Sequence, residues 1–164
     1  MTDKIITEKS GDIARIVFNQ PEKRNAVSLE MWEAVEAALT TYAADPEVRI
    51  LILSGAGGKA FVSGADISKF ESERASEDGV ARYNATTKRV YDGLEAFPKP
   101  TIAQIDGFCV GGGVALALSC DLRICGEGST FAVPAAKLGL GYAFPGIKRL
   151  VNVVGPAFAK EIFF

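Results

Sequence analysis

Three consecutive glycines, Gly111, Gly112 and Gly113, stand directly before an apolar run in the segment CVGGGVALALSCD. Bare backbone N–H groups at the start of a helix attract negative charge, because the positive end of the helix dipole lies there. The segment lacks both the G-x-G-x-x-G spacing of a dinucleotide fold and the G-K-[ST] of a P-loop. Two interpretations remain: close packing of a helix against a strand, and stabilisation of a developing negative charge such as an enolate oxygen.

The composition excludes several classes of site. The 164 residues contain no histidine, which removes Ser-His-Asp and Cys-His catalysis and most zinc sites. Cys109, Cys120 and Cys125 have no CxxC spacing, so we predict reduced packing thiols in a cytoplasmic protein and no bound metal. A net charge of −2 provides no basic field for nucleic acid. No apolar stretch reaches the roughly 18 residues of a membrane span, so we expect neither nucleic acid nor membrane as a partner.

Strands and helices alternate along the chain. Strands are predicted at 13–19, 48–55, 101–107 and 122–127, the last three with the continuous apolar pattern of a strand that is buried on both faces. Helices are predicted from an N-cap at Ser28 to Asp45-Pro46, from about 78 to 96, and directly after the glycines. This order indicates an α/β fold with a largely parallel sheet.

Two further segments complete the predicted elements. The polar stretch FESERASEDG (70–79) is predicted to be a mobile loop or the frayed start of a helix. The last residues, GPAFAKEIFF (155–164), are typical of a helix that has just begun and is too short to be stable alone. We therefore expect a chain that continues beyond Phe164, with the continuation covering Phe163 and Phe164.

Four segments, taken together, carry a family resemblance. They are PEKRNAVS (21–28), GKAFVSGADI (58–67), KPTIAQIDGFCVGGG (99–113) and CDLRICGEGSTFAVPAAKLGL (120–140). Their order and spacing resemble the enoyl-CoA hydratase/isomerase (crotonase) superfamily over essentially the whole chain. The resemblance implies a crotonase-like (ClpP/crotonase) α/β fold, a spiral of stacked ββα units. It also implies that residues 1–164 form one core domain that ends before the family's helical C-terminal region.

The resemblance implies enolate chemistry on an acyl-CoA thioester. Members of the superfamily hold the enolate oxygen between two backbone N–H groups, which correspond here to Ala65 and Gly112. Small residues at these positions agree with that role, because they let the backbone approach a carbonyl group closely. Each such donor is worth ~3 kcal/mol in the transition state. Coenzyme A is then expected as part of the substrate, with no permanently bound cofactor.

The resemblance also implies where coenzyme A binds. It places Lys23 and Arg24 at the CoA phosphates and the turn from Ser63 to Ile67 at the adenine. The implied CoA-binding residues are Lys23, Arg24, Ala26, Ser63, Gly64, Asp66 and Ile67. Lys23 and Arg24 are equally well explained as two cations in a solvated turn. For Asp66, a structural role is favoured over a catalytic one. Asp106 and Asp121 are interpreted as caps or local salt bridges.

The sequence departs from the family at its acids. Hydratases of the superfamily carry two glutamates at positions that correspond to Ala115 and Ala135, and isomerases carry an acid at the position of Ala143. The general acid and base of hydration therefore have no side chain here. Tyr142 resembles a tyrosine of the family's methylmalonyl-CoA decarboxylases, in which a phenol can serve as a later proton donor. Tyr142 is equally well explained as a packing tyrosine whose hydroxyl bonds to the backbone.

Several functions remain open from the sequence. One is an acyl-CoA enzyme of this family, with Ala65, Gly112 and Tyr142 as its catalytic residues; a malonyl-CoA or methylmalonyl-CoA decarboxylase is a specific form of it. Another is a non-catalytic acyl-CoA binder. A third is a slow hydratase that borrows an acid from Glu71, from Glu73 or from the C-terminal part expected beyond Phe164. The resemblance further implies a homotrimer or a hexamer for the full-length protein.

Overall fold

The computed structural model describes residues 2–139 and 141–164, so Met1 and Leu140, the last residue of the fourth matching segment, lie outside the described residues. The strands are β1 (Ile5–Ser10), β2 (Ile13–Phe18), β3 (Ile50–Gly55), β4 (Ala60–Val62), β5 (Thr101–Ile105), β6 (Phe108–Val110), β7 (Leu122–Cys125) and β8 (Thr130–Ala132). The helices are α1 (Leu29–Ala44), α2 (Phe70–Glu73), α3 (Glu77–Glu95), α4 (Gly112–Ser119) and α5 (Phe144–Phe163).

The strands form two sheets that the chain visits in turn. Five strands make one sheet in the order β1-β2-β3-β5-β7, and three make a second sheet in the order β4-β6-β8. All neighbouring strands are parallel except the hairpin of β1 and β2. Successive pairs, β3 with β4, β5 with β6 and β7 with β8, each contribute one strand to each sheet. The predicted α/β fold with a largely parallel sheet is therefore confirmed.

The first long helix follows its sequence signals closely. The Ser28 hydroxyl accepts a hydrogen bond from the backbone N–H of Met31 at 3.4 Å and so caps α1, which ends before Asp45 as predicted. The face that begins with Trp32 and ends with Tyr42 is buried in the core. Ser76 caps α3 in the same way, with its hydroxyl accepting from the N–H of Gly79 at 3.1 Å. These caps satisfy N–H groups that a helix cannot bond internally.

Of the two predictions for 70–79, the mobile loop is wrong over much of its length, and the start of a helix agrees with the end of the segment. Phe70–Glu73 forms α2, and α3 begins at Glu77. The segment is held by distant residues: the Glu73 carboxylate accepts a hydrogen bond from the N–H of Leu29 at 3.0 Å. The Arg74 guanidinium lies 4.1 Å from the ring centre of Phe70 and 3.9 Å from that of Tyr83. The charged composition of the segment led to the prediction of a loop, because a contact with a residue as distant as Leu29 leaves no pattern in the local sequence.

The last two predicted elements also differ from the structure. The strand predicted as buried, β7, is exposed: Leu122 is 55% exposed and Ile124 is 60% exposed, because β7 lies at the sheet edge and pairs only with β5 among the described strands. The final helix begins at Phe144 and not near Gly155, where its axis kinks and φ is +77°. Within the described ranges, the helices do not combine the length and the apolar character that crossing a membrane requires.

Candidate active site

Two turns of backbone meet in front of α4. Gly64 has a φ of +107°, a conformation that L side chains rarely adopt. A Cβ atom built on Gly112 would lie 3.9 Å from the Cα of Gly64, and one built on Gly111 would lie 3.8 Å from it. The turn after β4 and the first residues of α4 are therefore in van der Waals contact. The structure thus brings the neighbourhoods of Ala65 and Gly112 together.

The N–H groups of Ala65 and Gly112 remain available in this arrangement. The N–H of Val27 donates to the carbonyl of Gly64 at 2.8 Å, and the N–H of Asp66 donates to the carbonyl of Val27 at 3.0 Å. This parallel bridge fixes the turn through the residues on either side of Ala65. Gly112 opens α4 and has no helical acceptor. Neither N–H has an acceptor among the residues that the structure describes, so both can donate to a ligand.

The glycine triplet combines both roles that its sequence left open. A Cβ on Gly113 would stand 2.1 Å from the carbonyl oxygen of Val62, so glycine is required there for α4 to pack on β4. A Cβ on Gly112 would meet the hydroxyl of Tyr91 at 3.5 Å and Trp32 at 3.6 Å, which are ordinary contacts. Gly113 is therefore a packing residue, and Gly112 faces the open side of the turn.

Aromatic side chains line this side of the turn. The rings of Trp32 and Tyr91 pack edge to face with centres 5.6 Å apart, and the indole N–H of Trp32 donates to the hydroxyl of Tyr83 at 3.0 Å. The sequence-based interpretation did not include these residues in the site. A signal was present, since Tyr83 and Tyr91 are eight residues apart and share the inward stripe of the predicted helix. A position on this face of the helix does not tell which tyrosine hydroxyl reaches a ligand.

Tyr142 lies near the same cluster. Its ring packs edge to face against Phe163 at 5.2 Å and occupies the space into which a Cβ on Gly146 would project, 2.7 Å away. Burial raises the pKa of Tyr142, although the positive charge of Arg149 opposes the shift. Burial also raises the pKa of Tyr91, and the neighbouring Tyr142 adds to that effect. Both phenols therefore stay protonated near neutral pH and act as hydrogen-bond donors.

The predicted CoA-binding residues come together from two segments. The N–H of Ser63 donates to the carbonyl of Arg24 at 3.2 Å, and the Ser63 hydroxyl donates to the carbonyl of Lys23 at 3.4 Å. The Lys23 ammonium donates to Asp66 and to Ser68, each at 2.9 Å. The loop before α1 and the turn after β4 are thus one continuous surface.

The rest of this surface is open. The guanidinium of Arg24 lies 4.7 Å from the ring centre of Phe108, and Ile67 is 64% exposed. Ala26 is half-buried, and its carbonyl accepts a hydrogen bond from Gln20 at 3.1 Å. Asn25, which the sequence-based interpretation missed, is buried beneath this loop. A cation beside an exposed apolar residue suits a ligand with both phosphates and an aromatic base.

Asp66 has a structural role in the ligand-free chain. Its carboxylate accepts from the N–H of Ser68 at 3.1 Å and caps the short 3-10 turn Ile67–Lys69. Burial alone would raise the pKa of Asp66. The hydrogen bonds from Ser68 and the ammonium of Lys23 outweigh that effect and hold the pKa below its ordinary value. The carboxylate is therefore charged and occupied by its neighbours.

Alanines stand at the three positions where the resemblance implies acids. Ala115 and Ala135 are buried, and Ala143 precedes α5. Of the acids considered as substitutes, Glu71 is exposed, and one carboxylate oxygen of Glu73 is committed to the start of α1. Over residues 2–139 and 141–164, His, Cys, Asp and Glu side chains form no group that could hold a metal ion.

The remaining residues singled out in the sequence are two aspartates and three cysteines. One carboxylate oxygen of Asp121 accepts from the N–H of Thr101 at 2.8 Å and from its hydroxyl at 2.9 Å, so Asp121 ties the start of β7 to the start of β5 instead of forming the predicted cap or local salt bridge. Asp106 is exposed just after β5. Cys109 and Cys120 are buried, and burial raises the pKa of each thiol to about 12, as expected for packing thiols; Cys125 is exposed.

Comparison with known proteins places this chain in a family. The enoyl-CoA hydratase/isomerase family model matches residues 8–164. The chain is similar to the crotonyl-CoA hydratase of Syntrophomonas wolfei subsp. wolfei, with 36% identity over 162 residues that cover 99% of this chain and 62% of that protein. It is similar to the short-chain-enoyl-CoA hydratase of Clostridium acetobutylicum, with 35% identity over 162 residues, 99% of this chain and 61% of that protein.

A solved structure agrees with the sequence relatives. The crystal structure of an enoyl-CoA hydratase/carnithine racemase from Magnetospirillum magneticum matches with a TM-score of 0.92 and 39% identity, covering 99% of this chain and 61% of that one. The chain therefore spans about three fifths of the length of the relatives it matches. The crotonase-like fold implied by the four segments is confirmed, and the chain belongs to the enoyl-CoA hydratase/isomerase family.

Proposed function

We propose that this chain forms the core of an enzyme that binds an acyl-CoA thioester and stabilises its enolate between the N–H groups of Ala65 and Gly112. One observation carries the proposal: two backbone turns are in contact, and each presents an N–H group that has no acceptor among the described residues. Coenzyme A enters as part of the substrate.

The chemistry follows from what these groups do to charge. The thioester oxygen accepts two hydrogen bonds, and both strengthen as the oxygen becomes an enolate. The dipole of α4 favours the same negative charge. Trp32 and the ring of Tyr91 limit the water that reaches the oxygen, which strengthens each electrostatic interaction. Binding thus favours the enolate over the neutral thioester, which is the condition for catalysis.

The surface formed by the 23–27 loop and the 63–67 turn supports binding of the CoA moiety. Arg24 has no carboxylate partner among the described residues, whereas Lys23 is held by Asp66. A bound phosphate is therefore stabilised more by the charge of Arg24, since the charge of Lys23 is already shared with a carboxylate. The exposed Ile67 offers an apolar contact for the adenine ring.

Removal of a single N–H group tests the proposal. Proline is well tolerated at the first position of a helix, so Gly112→Pro deletes one donor and keeps α4. Gly112→Ala is the matched control, because it adds a Cβ and retains the N–H. Acetoacetyl-CoA is the probe, since its enolate absorbs in the near ultraviolet. We expect the wild-type protein to enrich the enolate on binding and Gly112→Pro to lose about 100-fold of that enrichment relative to Gly112→Ala.

Two results contradict the proposal. The first is a wild-type protein that binds neither acetoacetyl-CoA nor crotonyl-CoA in calorimetry. The second is a Gly112→Pro variant with the same enolate fraction as Gly112→Ala. Equal affinity of the wild-type protein for crotonyl-CoA and for the enolate identifies instead a non-catalytic acyl-CoA binder.

Decarboxylation is a second candidate, and Tyr142, a half-buried phenol with no hydrogen-bond partner among the described residues, favours it. In this reaction the bond between Cα and the carboxylate breaks, CO2 leaves, and the electron pair stays as the enolate. The Tyr142 phenol then gives its proton to Cα and regains one from water. No base is required to form the enolate, which suits a chain with Ala115 and Ala135 at the acid positions. CO2 release from malonyl-CoA and methylmalonyl-CoA tests this candidate, and an unchanged rate in Tyr142→Phe removes the role of Tyr142.

Two further proposals concern the whole protein: a slow hydratase that uses Glu71 or Glu73 as its acid, and a trimer or hexamer. Crotonyl-CoA hydration that disappears in a Glu71→Gln/Glu73→Gln double variant would support a slow hydratase.

Exposed apolar side chains, including Leu122, Ile124 and Phe158, are the surface that a trimer or hexamer would cover. Light scattering of the whole protein measures that state directly.

A further inference from the structure

The hydroxyl of Tyr91 lies beside the start of α4. It is 3.5 Å from the position of a Cβ on Gly112. By standard bond geometry that Cβ is about 2.5 Å from the nitrogen of the same residue. The Tyr91 oxygen is therefore at most about 6 Å from the Gly112 nitrogen, and one acceptor can bridge two donors that are up to about 5.7 Å apart. The edge-to-face contact with Trp32 holds the ring in this orientation.

The tyrosines of the chain differ in what their hydroxyls bind. The Tyr42 hydroxyl donates to the carbonyl of Glu8 at 3.1 Å, and the Tyr83 hydroxyl accepts from Trp32 at 3.0 Å. The Tyr91 hydroxyl has no partner among residues 2–139 and 141–164, although its ring is packed and half-buried. A packed phenol normally finds a hydrogen-bond partner. Tyr142 is also without one in these ranges, but its ring is directed at Gly146 and Phe163.

We propose that Tyr91 is a catalytic residue whose hydroxyl donates a third hydrogen bond to the enolate oxygen held by Ala65 and Gly112. The inference rests on the proposed function and adds a side chain to a site otherwise made of backbone. The proton stays on the phenol throughout, so no bond is broken at Tyr91. Burial, which raises the pKa of this phenol, keeps the proton in place near neutral pH.

The test measures the ionisation of bound acetoacetyl-CoA by ultraviolet absorbance against pH. Tyr91→Phe retains the ring that packs on Trp32 and removes only the hydroxyl. We expect the ratio of bound enolate to bound neutral thioester to fall at least tenfold, because one hydrogen bond to a charged group is lost. Affinity for butyryl-CoA, which does not ionise in this range, should stay within twofold. Tyr42→Phe is the matched control, with its hydroxyl at the far end of α1, and should leave the ratio at the wild-type value.

The outcomes separate this proposal from the one it rests on. If wild-type protein enriches the enolate and Tyr91→Phe does so equally, Tyr91 has no part in binding the oxygen and the proposed function stands. If Tyr91→Phe weakens acetoacetyl-CoA and butyryl-CoA by the same factor, the ring only shapes the pocket, and the hydrogen bond is refuted. If wild-type protein binds neither ligand, the proposed function fails and takes this inference with it. Thermal melting of Tyr91→Phe adds a check: a melting temperature lowered as much as in Tyr42→Phe, which loses the bond to Glu8, would reveal an internal partner for the Tyr91 hydroxyl and overturn the proposal.

Discussion

Replacing Gly113 with alanine tests whether α4 packs directly on the backbone of β4. The added Cβ would stand 2.1 Å from the carbonyl oxygen of Val62 and 3.0 Å from both the carbonyl carbon and the Cβ of that residue. Backbone atoms cannot rotate away as a side chain does. Either α4 or β4 must move by about 1 Å before the contact becomes tolerable.

The expected loss follows from two opposing contributions. Forcing an extra methyl group into a packed core costs ~1–3 kcal/mol, and the upper part of that range applies here because the obstacle is backbone. Alanine is favoured over glycine in a helix by up to ~1 kcal/mol, which offsets part of the cost. We therefore expect Gly113→Ala to lower the free energy of unfolding by about 2 kcal/mol. With a urea m-value of about 2 kcal/mol/M, the midpoint moves down by about 1 M.

Gly112→Ala is the internal comparison, because it makes the same chemical change one residue earlier. Its Cβ meets only ordinary contacts at 3.5 Å and 3.6 Å, so stability should stay equal to wild type or rise slightly. Urea unfolding followed by circular dichroism measures both variants. The packing argument is refuted if Gly113→Ala is as stable as wild type, or if the two alanine variants lose the same free energy.

Substitutions at Asn25, Asp66 and Trp32 probe the elements that hold the two turns. Asn25→Ala removes three hydrogen bonds, two of them buried, at a residue with a φ of +55° and should cost about 3 kcal/mol in urea unfolding, whereas Asn25→Gly should cost about 1 kcal/mol less. Asp66 has a lowered folded pKa, so its stabilising contribution is present above the unfolded value of ~3.9 and is lost as pH falls through the folded value. Asp66→Asn should therefore flatten the loss of melting temperature between pH 5 and pH 2, in differential scanning calorimetry, relative to Lys23→Met, which keeps the carboxylate. Trp32→Phe loses the bond to Tyr83 and leaves a small cavity, so we expect about 2 kcal/mol of destabilisation in urea unfolding.

The sequence predicted most of what local patterns determine. The large sheet strands β2, β3 and β5 and the helices α1 and α3 agree within a few residues, because hydrophobic period and caps are local signals. The second sheet was missed, because β4, β6 and β8 have three residues each and are held by neighbours remote in the chain.

The site residues likewise fall into those that the sequence indicated and those that only tertiary contacts show. The glycine triplet stood out by residue type, since bare backbone N–H groups at a helix start attract negative charge, whereas the turn with Ala65 came from the family resemblance. The family resemblance supplied their pairing, and the structure shows their contact through Gly64. Asn25 and Tyr91 were missed for a different reason. An asparagine in a polar loop and a tyrosine on an amphipathic helix have many uses, and only tertiary contacts show which group each side chain reaches.

The lining around Gly112 also limits which route to an enolate the site can support. The three nearest contacts of a Cβ on Gly112 belong to Gly64, Trp32 and Tyr91, which offer a hydrogen-bond donor and apolar surface. A phenol with a raised pKa does not remove a proton from carbon near neutral pH, because it would first have to lose its own. Donors alone stabilise an enolate equally well whichever bond has broken to form it. Within the proposed function, donors of this kind therefore suit an enolate formed by loss of a group such as CO2, whereas a carbon acid would need a base from another residue.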